Sequence, residues 1–214
     1  MERNDLTLLH HEALAEAMKV EDIDQRLVVT PLLDRAQIGE ASIDLRMGTE
    51  FLLLRRTLRA GVDVDVDPQE QIDELYDRIT VPLGEGLWLH PQQFALGSTL
   101  EFIRLPPTVG AYVLGRSSWG RLGLLVATAV MVHPGFSGSL TLELVNEGES
   151  PIRLYPGLKI AQLAVHSLPD ATEHSYATPG VSYRSPTGPQ AARLAKDKAE
   201  LERIKKLGDA LSTP

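Results

Sequence analysis

The chain has 214 residues, 43% of them hydrophobic, and a formal net charge of −8. That length holds one well-cored domain with terminal additions, and that composition excludes a chain disordered throughout. The acidic balance argues against a general nucleic-acid binder, while a small polyanion needs only a local cluster of Arg, Lys and backbone N–H groups.

The absence of cysteine excludes disulfides and any zinc site built on thiolates. No apolar run approaches the roughly 20 residues of a membrane helix, and the N-terminus lacks a basic-then-apolar signal pattern. These features predict a reducing, cytoplasmic setting without membrane association.

From the N-terminus, Asn4-Asp5 caps a predicted helix through Leu8, Leu9, Ala13, Leu14 and Ala17. His10 and His11 point to different faces of that helix, which reads as two surface histidines rather than a metal pair. Val20 to Leu27 predicts a second short helix, followed by an extended Val28-Val29-Thr30. Ala41 to Gly48 alternates apolar and polar residues as a half-buried strand does, and Thr49 to Leu54 continues it. Val62, Val64 and Val66 alternate with Asp63, Asp65 and Asp67, predicting an acidic edge strand; Gln69 to Arg78 reads as acidic loop or short helix.

From Ile79 onward come short β-forming runs: Ile79–Leu83, Gly86–Leu89, Phe94–Phe102, Val109–Leu114, Leu124–Val132, Ser139–Val145, Ile152–Leu154 and Leu158–His166. Turn signals such as Pro134-Gly135 and Pro156-Gly157 separate them. Many short strands at regular spacing predict a mainly β fold, a barrel or jelly-roll-like sandwich. After Pro169 the chain turns polar and rich in Gly, Pro, Ser and Thr, and Ala191 to Leu211 reads as a charged amphipathic helix with an apolar stripe through Leu194, Leu201, Ile204, Leu207 and Leu211.

Two features carry candidate chemistry. Arg116-Ser117-Ser118 and Arg121 surround a turn whose hydroxyls, guanidinium groups and backbone N–H groups suit phosphate oxygens; a solvated turn with two surface arginines reads the same way. In Ser139 to Val145, Leu140, Leu142 and Leu144 face one side, which puts Ser139, Thr141 and Glu143 on the other. A partly desolvated Glu143 suits proton transfer, whereas a solvent-facing Glu on an antiparallel sheet does not.

Several segments in fixed order resemble the motif set of deoxycytidine triphosphate deaminases, within the trimeric dUTPase superfamily. They are SIDLRMGTEF, LHPQQFALGSTLE, GRSSWGRLGL, the Thr128-Ala129 step, HPGFSGSLTLEL, PGLKIAQL and VSYRSPTGPQAAR, spanning about Lys19 to Arg193. The resemblance implies a distorted β-barrel or jelly-roll-like dUTPase-type fold with short N-terminal helices and a C-terminal helix. It divides the chain into an N-terminal helical extension (1–18), a dUTPase-like β domain (19–170), a mobile C-terminal lid segment (171–193) and a C-terminal helix (194–214).

It also implies homotrimers with active sites between subunits and hydrolysis of the 4-amino group of dCTP to give dUTP and ammonia. Catalysis needs no zinc in this family, and Mg²⁺ is bound through the nucleotide triphosphate. By resemblance, Glu143 activates the attacking water and shuttles its proton, with Ser117 and Arg121 positioning base and water. Thr128 and Ala129 read the pyrimidine edge, Arg116 and Ser118 contact the triphosphate, Lys159 and Gln162 lie in another ligand-lining motif, and Tyr183, Arg184 and Gly188 belong to the closing tail.

The sequence departs from the family at one corner. The family usually has Ile-Asp-Pro-Gly where this chain has Val132-His133-Pro134-Gly135, and that aspartate commonly holds the deoxyribose hydroxyl. His133 carries fewer acceptors than the aspartate it replaces. The segment between Gly123 and Pro134 is also one residue shorter, with Val130 and Met131 at positions often polar in monofunctional enzymes. The readings are therefore a dCTP deaminase, a bifunctional dCTP deaminase/dUTPase giving dUMP, a dUTPase-like diphosphatase, or a catalytically weakened nucleotide-binding regulator.

Overall fold

The computed structural model describes residues 7–57, 61–127, 131–171 and 186–212. The chain begins with β1 (Thr7–Leu8), α1 (His11–Ala17) and β2 (Val28–Thr30), then β3 (Ile43–Arg46) and β4 (Glu50–Leu54). Next come α2 (Gln69–Asp73), β5 (Tyr76–Thr80), β6 (Leu87–Leu89), β7 (Phe94–Ser98) and β8 (Phe102–Arg104). After β9 (Val109–Gly115) and α3 (Ser117–Gly120) follow β10 (Leu124–Val126), β11 (Met131–Val132) and β12 (Ser137–Gly138). The last elements are β13 (Thr141–Asn146), β14 (Ile152–Leu154), β15 (Lys159–Ser167) and α4 (Ala195–Ser212).

Among the described residues the strands form four antiparallel sheets. One has the order β1-β15-β9-β11, with β3 also on β15, and another has the order β10-β13-β7-β4-β5. A three-stranded sheet β12-β8-β2 and the pair β14-β6 complete the fold. The two larger sheets share one core. Ile43, Leu45, Ala161, Leu163 and Val165 from one meet Phe51, Ala95, Leu142 and Leu144 from the other. Each large apolar side chain so buried contributes about 1.5–3 kcal/mol. The result is a mainly β, jelly-roll-like fold without a closed barrel among the described residues.

The alternating runs become strands with the inward face that the pattern requires. In β13, Leu142 and Leu144 are buried and Thr141, Glu143 and Val145 alternate with them on the other face. In β3, Ile43 and Leu45 are buried, leaving Asp44 and Arg46 together on the half-buried face.

Where local pattern and structure differ, longer-range bonds explain it. Leu8 belongs to a strand rather than a helix, because Thr7 and Leu8 pair with Ser167 and His166, and Leu9 donates to the Val165 carbonyl at 2.8 Å. Helix α1 starts only at His11, and Asn4-Asp5 lies outside the described residues. Val20 to Leu27 forms turns, since Asp22 Oδ1 accepts the Asp24 N–H at 2.9 Å and competes with helical bonding.

Val62 to Asp67 is a turn rather than an edge strand, with Asp63 Oδ1 and Asp67 Oδ2 accepting the Asp65 and Asp63 N–H groups, each at 2.9 Å. Asp65 also meets Lys205 of α4 at 2.5 Å. The apolar stripe of α4 is covered only in part: Leu201 is half-buried, whereas Ile204, Leu207 and Leu211 are exposed.

Two long runs are also divided. Phe94 to Phe102 breaks around Leu100, whose N–H bonds the Arg46 carbonyl at 2.8 Å. Leu124 to Val132 splits into β10 and β11, which belong to different sheets.

Candidate active site

Glu143 sits in the middle of β13, between β7, where it is opposite Leu96, and β10, whose following residue Ala127 donates its N–H to the Glu143 carbonyl at 2.8 Å. With the leucines of this strand committed to the core, the carboxylate is turned into a cavity of about 510 Å³. Phe94, Leu96, Met131 and Phe136 give that cavity an apolar wall, and Tyr76, Thr141 and Gln190 add polar atoms. Burial in these surroundings pushes the Glu143 carboxyl above the usual carboxylate range. A carboxylate shifted in this direction holds a proton more readily than an exposed glutamate does, which suits a group that must take a proton and return it.

His133 lines the same cavity. Its corner is tight: the Phe136 N–H returns to the His133 carbonyl at 3.1 Å, and Gly135 has φ +77°, a conformation glycine adopts without a Cβ penalty. Phe136 is anchored in the core behind it.

The C-terminal segment supplies part of the wall. Pro186, Gln190 and Ala192 line the cavity, the Ser139 N–H donates to the Pro186 carbonyl at 2.7 Å, and the Gln190 N–H donates to Thr141 Oγ1 at 3.2 Å. Gly188 does not line the cavity. It is buried against the Glu50–Arg78 pair, and a Cβ there would come 2.7 Å from Glu50 Oε2.

The arginine-serine turn builds a different place. Helix α3 is fixed by Trp119 Nε1 donating to the Lys159 carbonyl at 2.9 Å. Beside it, Arg46, Arg116, Ser118, Trp119, Leu122, Leu158 and Lys159 line a second cleft of about 440 Å³. Arg46 pairs with Asp34 at 2.5 Å, and Lys159 pairs with Asp44 at 3.1 Å. Gln162 does not line this cleft; its Nε2 donates to Asp44 Oδ1 at 3.2 Å. No residue lines both cavities, and Ser117 and Arg121, both exposed, line neither. Thr128, Ala129, Tyr183 and Arg184 lie outside the described residues.

The chain thus brings Glu143 and His133 together, and separately Arg116, Ser118 and Lys159. Sequence reasoning missed Tyr76 and Gln190 in the first cavity and Asp44 beside the second. Asp44 had a visible signal, since the alternation of Ile43 to Arg46 puts it on one face with Arg46. Tyr76 had none, because its strand begins within a segment whose composition reads as acidic loop.

The sequence profile of the dCTP deaminase-like family matches residues 9–168. The dCTP deaminase of Natronomonas pharaonis is 42% identical over 176 residues, covering 80% of this chain and 89% of that protein. The dCTP deaminase, dUMP-forming, of Dictyoglomus thermophilum is 40% identical over 180 residues, covering 83% and 91%. Among solved structures, 2′-deoxycytidine 5′-triphosphate deaminase from Agrobacterium tumefaciens superposes with a TM-score of 0.58 at 21% identity. The match covers 76% of this chain and 48% of that one, and it shows the shared fold. A profile that runs from α1 through β15 takes in both the Glu143 strand and the Arg116 cleft, and on that match the chain belongs to the dCTP deaminase-like family.

Proposed function

We propose that this protein hydrolyses dCTP to dUTP and ammonia, with Glu143 moving the proton. The observation that carries this reading is a carboxylate of raised pKa facing a cavity with aromatic and aliphatic walls, in a chain of this family. Glu143 takes a proton from water as the water oxygen bonds to C4 of the cytosine. It passes that proton to N3 as the C4–N3 double bond opens, then takes the C4 hydroxyl proton and gives it to the 4-amino group; the C4–N bond breaks with its electron pair leaving on ammonia, and C4 retains the oxygen as a carbonyl beside a protonated N3. No electrons are exchanged with a cofactor. The zinc cage of other cytidine deaminases lacks its cysteine ligands in this sequence.

In this reading Arg116, Ser118 and Lys159 hold the triphosphate, and Ser117 and Arg121 orient base and water. Magnesium would arrive on the phosphates and neutralise part of their charge. Asp34 and Asp44 are already paired with Arg46 and Lys159, so the described cleft adds no uncommitted carboxylate for the ion.

The absence of Ser117 and Arg121 from the lining of the Glu143 cavity supports a site completed by a neighbouring subunit, as in a homotrimer. Exposed apolar side chains favour such an assembly: Leu114, Leu122, Leu125 and Met131 lie uncovered on β9, the turn after α3, β10 and β11.

Relatives whose names include dUMP formation give specific ground for a second reading, deamination followed by release of pyrophosphate. Incubating the purified protein with dCTP, dUTP and CTP, with ammonia and pyrophosphate followed separately, tests both. Ammonia without pyrophosphate identifies the deaminase, and both products from dCTP identify the dUMP-forming enzyme. Pyrophosphate from dUTP without ammonia from dCTP identifies a diphosphatase. No product from any of them overturns catalysis altogether.

A further inference from the structure

Asp44 touches three residues assigned above to nucleotide contact. It lies on β3 directly opposite Gln162 of β15. Its Oδ1 accepts from Gln162 Nε2 at 3.2 Å and stands 3.1 Å from Arg116 Nη1, while Oδ2 stands 3.1 Å from Lys159 Nζ. The Asp44 side chain is only 14% exposed, so these pairings are less screened than surface ion pairs. The Arg116 contact is a charge pairing without an aligned hydrogen bond: Nη1 is buried and has no hydrogen-bond acceptor among the described residues. A buried guanidinium N–H held by charge yet lacking an acceptor is a donor awaiting one.

We propose that Asp44 is a positioning residue for the phosphate grip, holding Arg116 and Lys159 aimed at the cleft before an anion arrives. This rests on the nucleotide reading given above. Long Lys and Arg side chains lose rotamer freedom when a ligand fixes them, and a carboxylate that holds them beforehand lowers that cost. Against this, the negative charge of Asp44 repels the phosphates themselves. The two effects have opposite signs on removal of the charge, so experiment separates them.

The test is calorimetric titration of inorganic tripolyphosphate, dCTP and deoxycytidine into the wild-type protein, Asp44→Asn and Asp44→Glu. Positioning predicts that both variants bind tripolyphosphate and dCTP about tenfold or more weakly, because Asn loses the charge and Glu misplaces it. Affinity for deoxycytidine, which lacks phosphates, stays within about twofold, a result that general damage to the fold would not give. Tighter binding of tripolyphosphate by Asp44→Asn, or unchanged binding by Asp44→Glu, overturns the proposal. Asp44→Glu retains the charge, so it supplies the answer if Asp44→Asn does not fold. A wild-type protein that binds tripolyphosphate but releases no ammonia from dCTP refutes the deaminase reading and leaves the Asp44 comparison intact. A wild-type protein that binds no tripolyphosphate overturns the Asp44 proposal, whatever the ammonia assay shows.

Discussion

The backbone N–H of Gln190 donates to Thr141 Oγ1 at 3.2 Å, two residues before Glu143 on the same face of β13. The C-terminal segment is therefore fastened directly to the strand that carries the candidate base. Gly138 makes the second fastening possible. It has φ +145°, and a Cβ there would come 2.5 Å from Pro186 Cδ and 2.7 Å from the Pro186 oxygen. Gly138→Ala forces Pro186 off the Ser139 N–H, and Thr141→Val removes the acceptor for Gln190. Each should raise the KM for dCTP several-fold. For Thr141→Val, the loss of one hydrogen bond should cost only about 1 kcal/mol in urea unfolding. An unchanged KM in both variants would remove the segment from the substrate cavity.

Glu143→Gln keeps the shape of the side chain and one acceptor but cannot take a proton from water. Ammonia release should fall by at least about 10²–10⁴-fold. Stability near neutrality should hold or rise, because the charged form of Glu143 is the one that burial penalises. Ammonia assay and urea unfolding on the same preparations check both parts. Normal deamination by this variant would refute the assigned mechanism.

The pH dependence follows from the same burial. Glu143 acts as a base only when ionised, so activity rises with pH through its folded pKa, and the acidic limb should lie above the ordinary glutamate range. Stability runs the other way. The folded state holds this proton more tightly than the unfolded state, so the contribution of Glu143 to stability declines as pH rises from the unfolded pKa to the raised folded one. His133→Asp adds a carboxylate to the same cavity and should move the acidic limb further upward. Profiles of kcat/KM against pH for the two proteins test this, and coincident limbs would show that position 133 does not act on Glu143.

The sequence made β13 legible because its period of two survives folding: Leu142 and Leu144 enter the core, and Glu143 is on the opposite face. Whether that face is wet or enclosed was not legible. Enclosure comes from Pro186, Gln190 and Ala192, more than forty residues along the chain, and no local pattern encodes their return. The same holds for Glu101, fully buried and satisfied by Gln37 Nε2 at 2.6 Å and the Arg46 N–H at 2.9 Å. Nothing in its neighbours announces that a carboxylate will be taken inside. Side-chain competition misled in the other direction, as when Asp22 and Asp63 converted an expected helix and an expected strand into turns.

That Ser117 and Arg121 do not line the cavity holding Glu143 has a direct kinetic consequence. If Ser117 and Arg121 of one subunit serve Glu143 of the next, Glu143→Gln and Arg121→Ala inactivate different halves of one shared site. Each variant alone has three damaged sites per trimer. A hybrid trimer places the intact Glu143 of an Arg121→Ala subunit against the intact Arg121 of a Glu143→Gln subunit. Random mixing in equal amounts makes about a quarter of such junctions intact at both halves. Unfolding the two variants together and refolding the mixture should thus restore roughly a quarter of wild-type ammonia release, with each variant refolded alone as the control. A site built within one chain gives no recovery, because every subunit in the mixture still carries one lesion. The same refolded samples, sized by light scattering, show whether recovery tracks the trimer, and recovery in a monomeric fraction would contradict a shared site.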